Sequence, residues 1–330
     1  MKTFTEPLRE LEEFQQIREK LKKNRGVIQV SGCIEAQKSH FMYCAGEGYR
    51  HKLILTYSDL RAKEIYENYR FFDRNVYLYP ARDLMFYNAD IQSHQIAGAR
   101  MNVLRALLEE EEVTVITTLP GCMERLLPLS VLEENILEFQ QDSAVDLQKL
   151  SGQLSGMGYE KVSQVEVPGQ FAVRGGIIDI FVLTEETPVR IELWGDEIDS
   201  IRSFDAESQR SIENLESVRI YPAGELIITQ EQAVAAAKKI KKEGEKQEKT
   251  FRAAMQTEEA HRVKVLAEET CDRLLEYQER TGLEGFMPYF TDETVTFLNY
   301  FSEDDLIFLD EPNRIAEEGR AVETEFAENM

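Results

Sequence analysis

The sequence predicts an α/β protein in which a mostly parallel sheet is accompanied by an inserted, smaller α+β unit with an antiparallel sheet. Three observations favour this class. Short apolar runs alternate with amphipathic helical patterns as far as residue 117, glycine and proline then separate short strands between residues 121 and 215, and a long helical pattern begins at Thr229. Alternating strands and helices are typical of parallel sheets, whereas strands divided by turn residues are typical of antiparallel ones.

The first part of the chain alternates helix and strand. Leu8, Leu11, Phe14, Ile17 and Leu21 recur every three or four residues, which predicts an amphipathic opening helix. The elements expected after it are a strand at 27–30, a helix reaching residue 41, a strand at 53–57, a helix capped by Ser58 and Asp59, a strand at 76–79, a helix at 94–111 and a strand at 113–117.

The remaining chain divides into the inserted unit and a helical part. Thr229 and Gln232 fit a capping box that would begin one helix, and a second helix is expected over 257–280. The lysines between residues 238 and 249 are interleaved with glutamates, which favours a solvated helix face over a basic binding site. The apolar run at 306–309 predicts a buried strand.

Composition limits the partners and the compartment. The 330 residues include 38 Lys and Arg against 61 Asp and Glu, a formal net charge of −23, which opposes binding to nucleic acid or to an anionic membrane by the bulk of the surface. No apolar run approaches the roughly 18 residues that span a bilayer. We therefore expect a cytoplasmic protein with no membrane partner and no direct nucleic-acid binding.

Cysteine and histidine give no indication of a metal site. The four cysteines lie far apart without a CxxC pair, and the four histidines show no metal-ligand spacing. We expect reduced thiols and no bound metal.

A phosphate-binding loop is present in altered form. Residues 32–39 match the G-x-x-x-x-G-K-[ST] template at Gly32, Lys38 and Ser39, but Gln37 replaces the glycine before the lysine. Glu35 adds a negative charge where phosphates would lie. At about 4 Å and a dielectric near 20, each such repulsion costs roughly 4 kcal/mol. A helix N-terminus offers an anion only about 0.3–1 kcal/mol, so we expect neither a functional nucleotide site nor ATP hydrolysis.

Two acidic residues that resemble the other half of a nucleotide-binding site follow the apolar run at 306–309. Asp310 and Glu311 come directly after it, where a nucleotide hydrolase carries a magnesium-binding acid and a water-orienting acid. Together with the altered loop, this pair suggests a nucleotide-binding ancestor.

One strand pattern places unusual residues on an outer face. Within Val189–Trp194, apolar residues alternate with Arg190, Glu192 and Trp194, and Arg174 has the same parity in an earlier strand. Arg and Trp are the residues that most often anchor protein–protein interfaces. From the pattern alone, two interpretations stay open: a partner-binding face, or a ladder of cross-strand ion pairs with Trp194 folded over a sheet edge.

Three motifs carry a family resemblance. VRGGIIDIF at 173–181, RIELWGDEIDSIRSFD at 190–205 and YPARDLMFY at 79–87 resemble the N-terminal region of the bacterial transcription-repair coupling factors (Mfd), whose first domains are similar to the excision-repair protein UvrB. The resemblance extends over essentially all 330 residues. The altered loop separates the chain from UvrB itself, which keeps an intact one.

The resemblance implies a domain division and a partner. Residues 1–120 and 216–330 would form one split RecA/UvrB-like domain, and residues 121–215 would form an inserted domain that binds UvrA. The positions that match the family's contact residues are Arg174, Arg190 and Trp194, and Glu192, Glu197 and Arg202 are expected to be their neighbours in the interface. Because alternation alone had selected the first three, the resemblance favours an interface over an ion-pair ladder.

The resemblance also implies what the whole protein does. Members of the family displace stalled RNA polymerase, move on double-stranded DNA with an ATP-dependent motor, and cover the UvrA-binding face with a C-terminal domain. This chain lacks motor and polymerase-binding segments, so it is expected to be a fragment that recruits UvrA in nucleotide excision repair without an enzymatic activity or cofactor of its own. The alternatives are an active UvrB-like ATPase that loads onto damaged DNA, and a structural scaffold.

Overall fold

The computed structural model describes residues 2–23, 26–82, 90–277 and 282–328. It divides into two compact units. Unit 1 comprises Met1–Met85, Asn102–Glu124 and Phe297–Met330, and unit 2 comprises Phe86–Met101 and Arg125–Thr296. Among the described residues, no helix has the length and apolar content that crossing a membrane requires.

The described secondary structure alternates along the chain. The strands are β1 (His51–Thr56), β2 (Val76–Tyr79), β3 (Val113–Thr118), β4 (Leu137–Gln140), β5 (Glu160–Lys161), β6 (Gln170–Arg174), β7 (Ile177–Ile180), β8 (Val189–Trp194), β9 (Glu197–Phe204), β10 (Ser211–Leu215), β11 (Ser217–Ile220) and β12 (Leu306–Leu309). The α-helices are α1 (Lys2–Arg9), α2 (Glu12–Lys23), α3 (Glu35–Ala45), α4 (Asp59–Tyr69), α5 (Asp90–Glu109), α6 (Leu119–Met123), α7 (Leu129–Glu134), α8 (Leu147–Gly156), α9 (Gln230–Ala253), α10 (Thr257–Asp272), α11 (Met287–Phe290) and α12 (Pro312–Glu328).

Unit 1 is built on a four-stranded parallel sheet in the order β12-β1-β3-β2. Every residue of β1 and β3 is buried, as expected of central strands in a parallel sheet. Ile54 of β1 and Ile116 of β3 share a core with Met42 of α3 and Ile65 of α4. Helix α4 begins where expected, because the Ser58 hydroxyl accepts a hydrogen bond from the backbone N–H of Arg61.

The beginning of the chain differs from the expectation. The opening pattern forms two helices, α1 and α2, and the predicted strand at 27–30 is wrong, because residues 26–34 form neither helix nor strand. The two edges of β1 pair with β12 and β3, so neither receives this segment. Val27 is fully exposed. A short segment rich in valine and isoleucine becomes a strand only where a sheet edge pairs with it.

Strand β12 forms as predicted but is less buried than its sequence suggests. It lies at the end of the sheet order and pairs only with β1 among the described strands, so its side chains alternate between half-buried and exposed. In the third family motif, residues 79–82 are described and residues 83–87 lie outside the described residues.

Unit 2 contains a six-stranded sheet in the order β10-β9-β8-β7-β6-β5 and a separate pair, β11-β4. All neighbours in the larger sheet are antiparallel except β5 and β6. Ile178, Ile191 and Ile201 lie next to each other across β7, β8 and β9 and are fully buried. The prediction of an α/β fold with a parallel sheet and an inserted antiparallel unit is confirmed.

The compact units do not follow the domain division implied by the resemblance. The boundary at residue 121 lies close to Arg125, where the longer segment of unit 2 begins. Unit 2 also includes Phe86–Met101 from the predicted first domain, and the boundary at 215/216 falls inside unit 2. The reason is a shared core: Leu226, Ile228 and the alanines of α9 pack in one cluster with Leu127. Helix α9 begins with the capping box predicted at Thr229 and Gln232.

Candidate protein-interaction site

The register of the larger sheet places all six predicted interface residues on one face. Residues directly opposite each other on neighbouring strands share a face. One row across β6 to β9 is Ala172, Asp179, Arg190 and Arg202, and the next is Arg174, Ile177, Glu192 and Ser200. Beyond that row, Trp194 is paired with Glu197.

Two tight hairpins define the end of this face. Gly175 and Gly176 connect β6 to β7, and Gly195 with Asp196 connects β8 to β9. Gly175 and Gly195 have φ angles of 61° and 66°, as expected at the first position of two-residue hairpin turns. A Cβ on Gly176 would lie 3.1 Å from the Leu193 carbonyl oxygen, so the sequence GG allows the two hairpins to approach closely.

Trp194 projects from the second hairpin into solvent. It is 84% exposed, and its side chain has no hydrogen-bond or ring partner among the described residues. On the opposite face of the same hairpin, Ile198 is buried. The backbone is held in place, since Val145 N–H donates to the Asp196 carbonyl and Ala144 bridges to Glu197. The only tryptophan of the chain is therefore exposed on a hairpin whose backbone is hydrogen-bonded.

The two arginines of this face share one buried carboxylate. Asp179 is 1% exposed at its side chain, and it accepts hydrogen bonds from Arg190 Nε at 2.7 Å and Arg190 Nη2 at 2.9 Å. Arg174 Nη2 binds the same Oδ2 atom. Sequence reasoning missed Asp179, although its position between Ile178 and Ile180 in β7 gives it the parity of the outer face.

Arg190 and Arg174 differ in how much of their charge faces solvent. Arg190 is 16% exposed, donates to Gln209 Oε1 at 3.1 Å, and lies 4.5 Å from the centroid of the Phe204 ring. Its hydrogen bonds to Asp179 raise the pKa of Arg190 above the ordinary value. Arg174 is 44% exposed, and within the described part of the chain its side chain binds Asp179 alone. Arg190 is largely a structural residue, and Arg174 presents the charge.

A second ion pair lies beside the first. Arg202 binds Glu192 diagonally across β8 and β9, and Glu192 also accepts a hydrogen bond from Ser200 at 3.3 Å. Arg190 and Arg202 are direct cross-strand neighbours, an unfavourable pairing that Asp179 and Glu192 offset. The face therefore carries the ion-pair ladder of one interpretation, but the expectation that Trp194 folds over a sheet edge is wrong, because its side chain is exposed.

The lysine of the segment that resembles a phosphate loop is surrounded by the protein's own carboxylates. Lys38 Nζ lies 2.7 Å from Glu35 Oε1, 3.0 Å from Asp310 Oδ1 and 2.6 Å from Glu311 Oε1. Arg61 Nε lies 2.9 Å from Asp310 Oδ2, and Arg61 also binds Glu35. Lys38, Asp310 and Glu311 come together as the motifs predicted, and Arg61 is a participant that no motif revealed.

This cluster is positioned by the parallel pairing of β1 and β12. Leu55 is opposite Leu309, which places the next residues, Thr56 and Asp310, side by side with a 3.1 Å hydrogen bond. Ser39, the last motif residue, is buried, whereas Gly32 lies in the segment before α3 with a φ of 89°.

The charges in the cluster stabilise one another. Burial lowers the pKa of Lys38, but hydrogen bonds to Glu311, Glu35 and Asp310 exceed that effect and raise the pKa above its ordinary value. Burial raises the pKa of Asp310, but hydrogen bonds from Arg61 and Lys38 bring it below its ordinary value. No group of His, Cys, Asp and Glu within the described parts of the chain has the arrangement of a metal site.

The sheet with the exposed tryptophan lies in a segment that matches a known protein family, and this match indicates the class of protein. Residues 137–226, which carry all six predicted interface residues and Asp179, match a known family described as the UvrB interaction domain. A protein-interaction domain agrees with an ordered sheet that presents an exposed aromatic and a charged row.

Longer similarities identify the relatives. The chain is 36% identical over 256 residues to the transcription-repair-coupling factor of Bacillus subtilis (strain 168), covering 78% of this chain and 22% of the relative. It is 35% identical over 262 residues to that of Staphylococcus epidermidis (strain ATCC 35984), covering 78% and 22%. It is 34% identical over 246 residues to that of Staphylococcus aureus (strain MRSA252), covering 73% and 20%.

The resemblance predicted from the sequence motifs is confirmed: residues 137–226 match the UvrB interaction domain, and the chain is similar to part of the transcription-repair-coupling factors. The chain spans about a fifth of the length of these relatives, 22% for the Bacillus subtilis protein.

Proposed function

We propose that this chain is a docking module that binds UvrA through the outer face of β6 to β9 and thereby recruits it to stalled transcription complexes in nucleotide excision repair. The observation that carries the proposal is Trp194, an aromatic side chain that is 84% exposed on a rigid hairpin. Large exposed aromatics on ordered backbone mark interaction sites, because burial against a partner removes their apolar surface from water.

The arginines give the docking face its chemistry. Arg174 is half exposed and directed from the same end of the sheet as Trp194, so it would pair with an acidic group of UvrA while the indole fills a pocket. Glu192, Arg202 and Glu197 would form the polar rim around these anchors, where charges chiefly guide orientation and association.

The role is non-catalytic, and ATP or magnesium is not a cofactor of this chain. Supporting this, the lysine and arginine that would hold phosphates are both bound by carboxylates, with Glu35 contacting each of them. A net charge of −23 also disfavours DNA or RNA as a direct partner. Motor activity on double-stranded DNA, displacement of RNA polymerase and covering of the docking face by a C-terminal domain would belong to other parts of a full-length relative.

The test is a titration of purified UvrA into the chain, compared with Trp194→Ala and Arg174→Ala. Each truncation is expected to weaken binding by about 2 kcal/mol or more, roughly 30-fold. Phe71→Ala is the matched control for the tryptophan, because Phe71 is an aromatic that is 85% exposed in unit 1. Arg262→Ala, at an arginine 74% exposed on α10, is the control for the arginine. Equal affinities for all five proteins would refute the assignment of the face.

A further inference from the structure

Asp179 stands out in unit 2 as a fully buried carboxylate that faces the outer side of the sheet rather than the core. It touches both arginines of the docking face, although they lie on different strands, β6 and β8. Each of its oxygens is used: Oδ1 accepts from Arg190, and Oδ2 accepts from Arg190 and Arg174. Among the described residues, it is the one side chain that binds both arginines.

Asp179 binds the two arginines with different geometries. Arg190 is bidentate and is held a second time by Gln209 and by the face of the Phe204 ring. Arg174 reaches Asp179 through one terminal nitrogen, so the remainder of its guanidinium stays available to a partner. Asp179 thus fixes the direction of Arg174 without covering it.

The positive and negative charges around Asp179 are also unequal in number. Two guanidinium groups share one carboxylate, and the neighbouring Glu192 is bound by Arg202. The cluster of Asp179, Arg174 and Arg190 therefore has a net charge of one positive unit. That charge is accessible to solvent mainly at Arg174, the more exposed of the two arginines. A partner completes the cluster by supplying a carboxylate there.

We infer that Asp179 is a positioning residue of the docking face, which holds Arg174 in one orientation so that it meets a carboxylate of the partner; this inference rests on the proposed function. A long side chain that is already ordered loses less rotamer freedom on binding than one that must be fixed by the partner. Asp179 contributes to affinity by that route while remaining out of contact with the partner.

The inference makes a prediction whose sign opposes simple electrostatics. Asp179→Asn keeps the shape and removes one negative charge, so the face becomes more positive toward an acidic partner. Coulomb attraction alone would strengthen binding. Loss of positioning weakens it, and we expect the affinity for purified UvrA to fall by about tenfold or more. Asp199→Asn is the matched control, since Asp199 is exposed on β9 of the same sheet, and it should bind like the wild type.

A mutant cycle separates positioning from damage to the fold. If Asp179 acts through Arg174, then Asp179→Asn in an Arg174→Ala background should change the affinity by less than about twofold. A general distortion of the sheet would weaken binding equally in both backgrounds, and this outcome would overturn the inference. So would unchanged or tighter binding by Asp179→Asn alone.

A second variant covers the case in which Asp179→Asn fails to fold, because it leaves Arg190 without a counter-charge. Replacing both members of a buried ion pair is far better tolerated than removing one. Asp179→Asn combined with Arg190→Met should therefore fold, and it should bind UvrA more weakly than Arg190→Met alone, in which Asp179 still holds Arg174. Equal affinities of these two variants would refute the inference. If the wild type itself does not bind UvrA, the proposed function fails instead.

Discussion

Lys38 donates a hydrogen bond to Asp310 across 3.0 Å, joining the first turn of α3 to the residue that follows β12. In a nucleotide hydrolase these two positions would hold phosphate and magnesium. Here they hold each other, and Glu35 lies within reach of both Lys38 and Arg61. In this chain these positions form an internal ion-pair network in unit 1.

The first prediction concerns nucleotide binding. Because Lys38 and Arg61 are already bound by carboxylates, the wild-type chain should show no saturable binding of magnesium-ATP in a fluorescent-nucleotide titration. Entry of a triphosphate would require three carboxylates to leave Lys38, and each would then repel the phosphates. Micromolar binding that disappears in Lys38→Ala would instead support the UvrB-like ATPase.

The second prediction concerns stability and pH. The pKa of Asp310 is lowered in the folded chain, so the folded state binds fewer protons there than the unfolded state. Its contribution to stability is complete above the unfolded pKa of about 4 and disappears as the pH falls through the folded-state pKa. Asp310→Asn should lower the free energy of unfolding at neutral pH by about 3 kcal/mol.

Urea unfolding followed by circular dichroism at several pH values measures this effect. The difference between wild type and Asp310→Asn should shrink as the pH approaches and passes below about 4. Glu19→Gln provides the control, because Glu19 is 71% exposed in a surface pair with Lys23 and should change stability by no more than about 0.5 kcal/mol. A difference that stayed constant across this range would mean that the Asp310 charge is not what stabilises the site.

Local sequence signals predicted much of the fold. The strand at Val76–Tyr79, the Ser58 cap and the capping box at Thr229 were predictable because each depends on residues that are neighbours in the chain. The failed strand at 27–30 depended on something nonlocal. Whether a segment joins a sheet is decided by which edges are available, and β1 was already paired on both sides.

The candidate site shows the same limit. Alternation in β8 was enough to place Arg190, Glu192 and Trp194 on one face. It did not reveal that Asp179 lies opposite Arg190, because that depends on the register between β7 and β8. Hence the sequence indicated which side chains face outward. The structure was needed to show that Arg190 is mostly buried against Asp179, whereas Arg174 is exposed to solvent.

The third prediction separates the two arginines by stability. Arg190 makes a bidentate contact with Asp179 and stacks on Phe204, and lysine reproduces neither interaction. Arg190→Lys should lower the free energy of unfolding by about 2 kcal/mol. Arg174→Lys, at a side chain that is 44% exposed, should change it by about 0.5 kcal/mol or less. Thermal unfolding of both variants measures the difference, and equal losses would contradict the assignment of distinct roles.

The fourth prediction separates Arg174 from Trp194 by the salt dependence of UvrA binding. An exposed ion pair is screened as the Debye length falls from about 8 Å at physiological salt to about 3 Å at 1 M, whereas burial of an indole is not weakened by screening. Raising the salt should therefore reduce the affinity difference between wild type and Arg174→Ala. The difference between wild type and Trp194→Ala should persist.

The measurement is a set of UvrA titrations at low, physiological and high salt with wild type, both variants and Phe71→Ala. Phe71→Ala should follow the wild-type curve throughout, because its aromatic lies in the other unit. If the Trp194→Ala deficit vanished at high salt together with that of Arg174→Ala, the indole would be acting only by shaping the charged row. If instead only the arginine deficit fades, the tryptophan is buried against UvrA, since apolar contact alone among the interactions of this face is insensitive to screening.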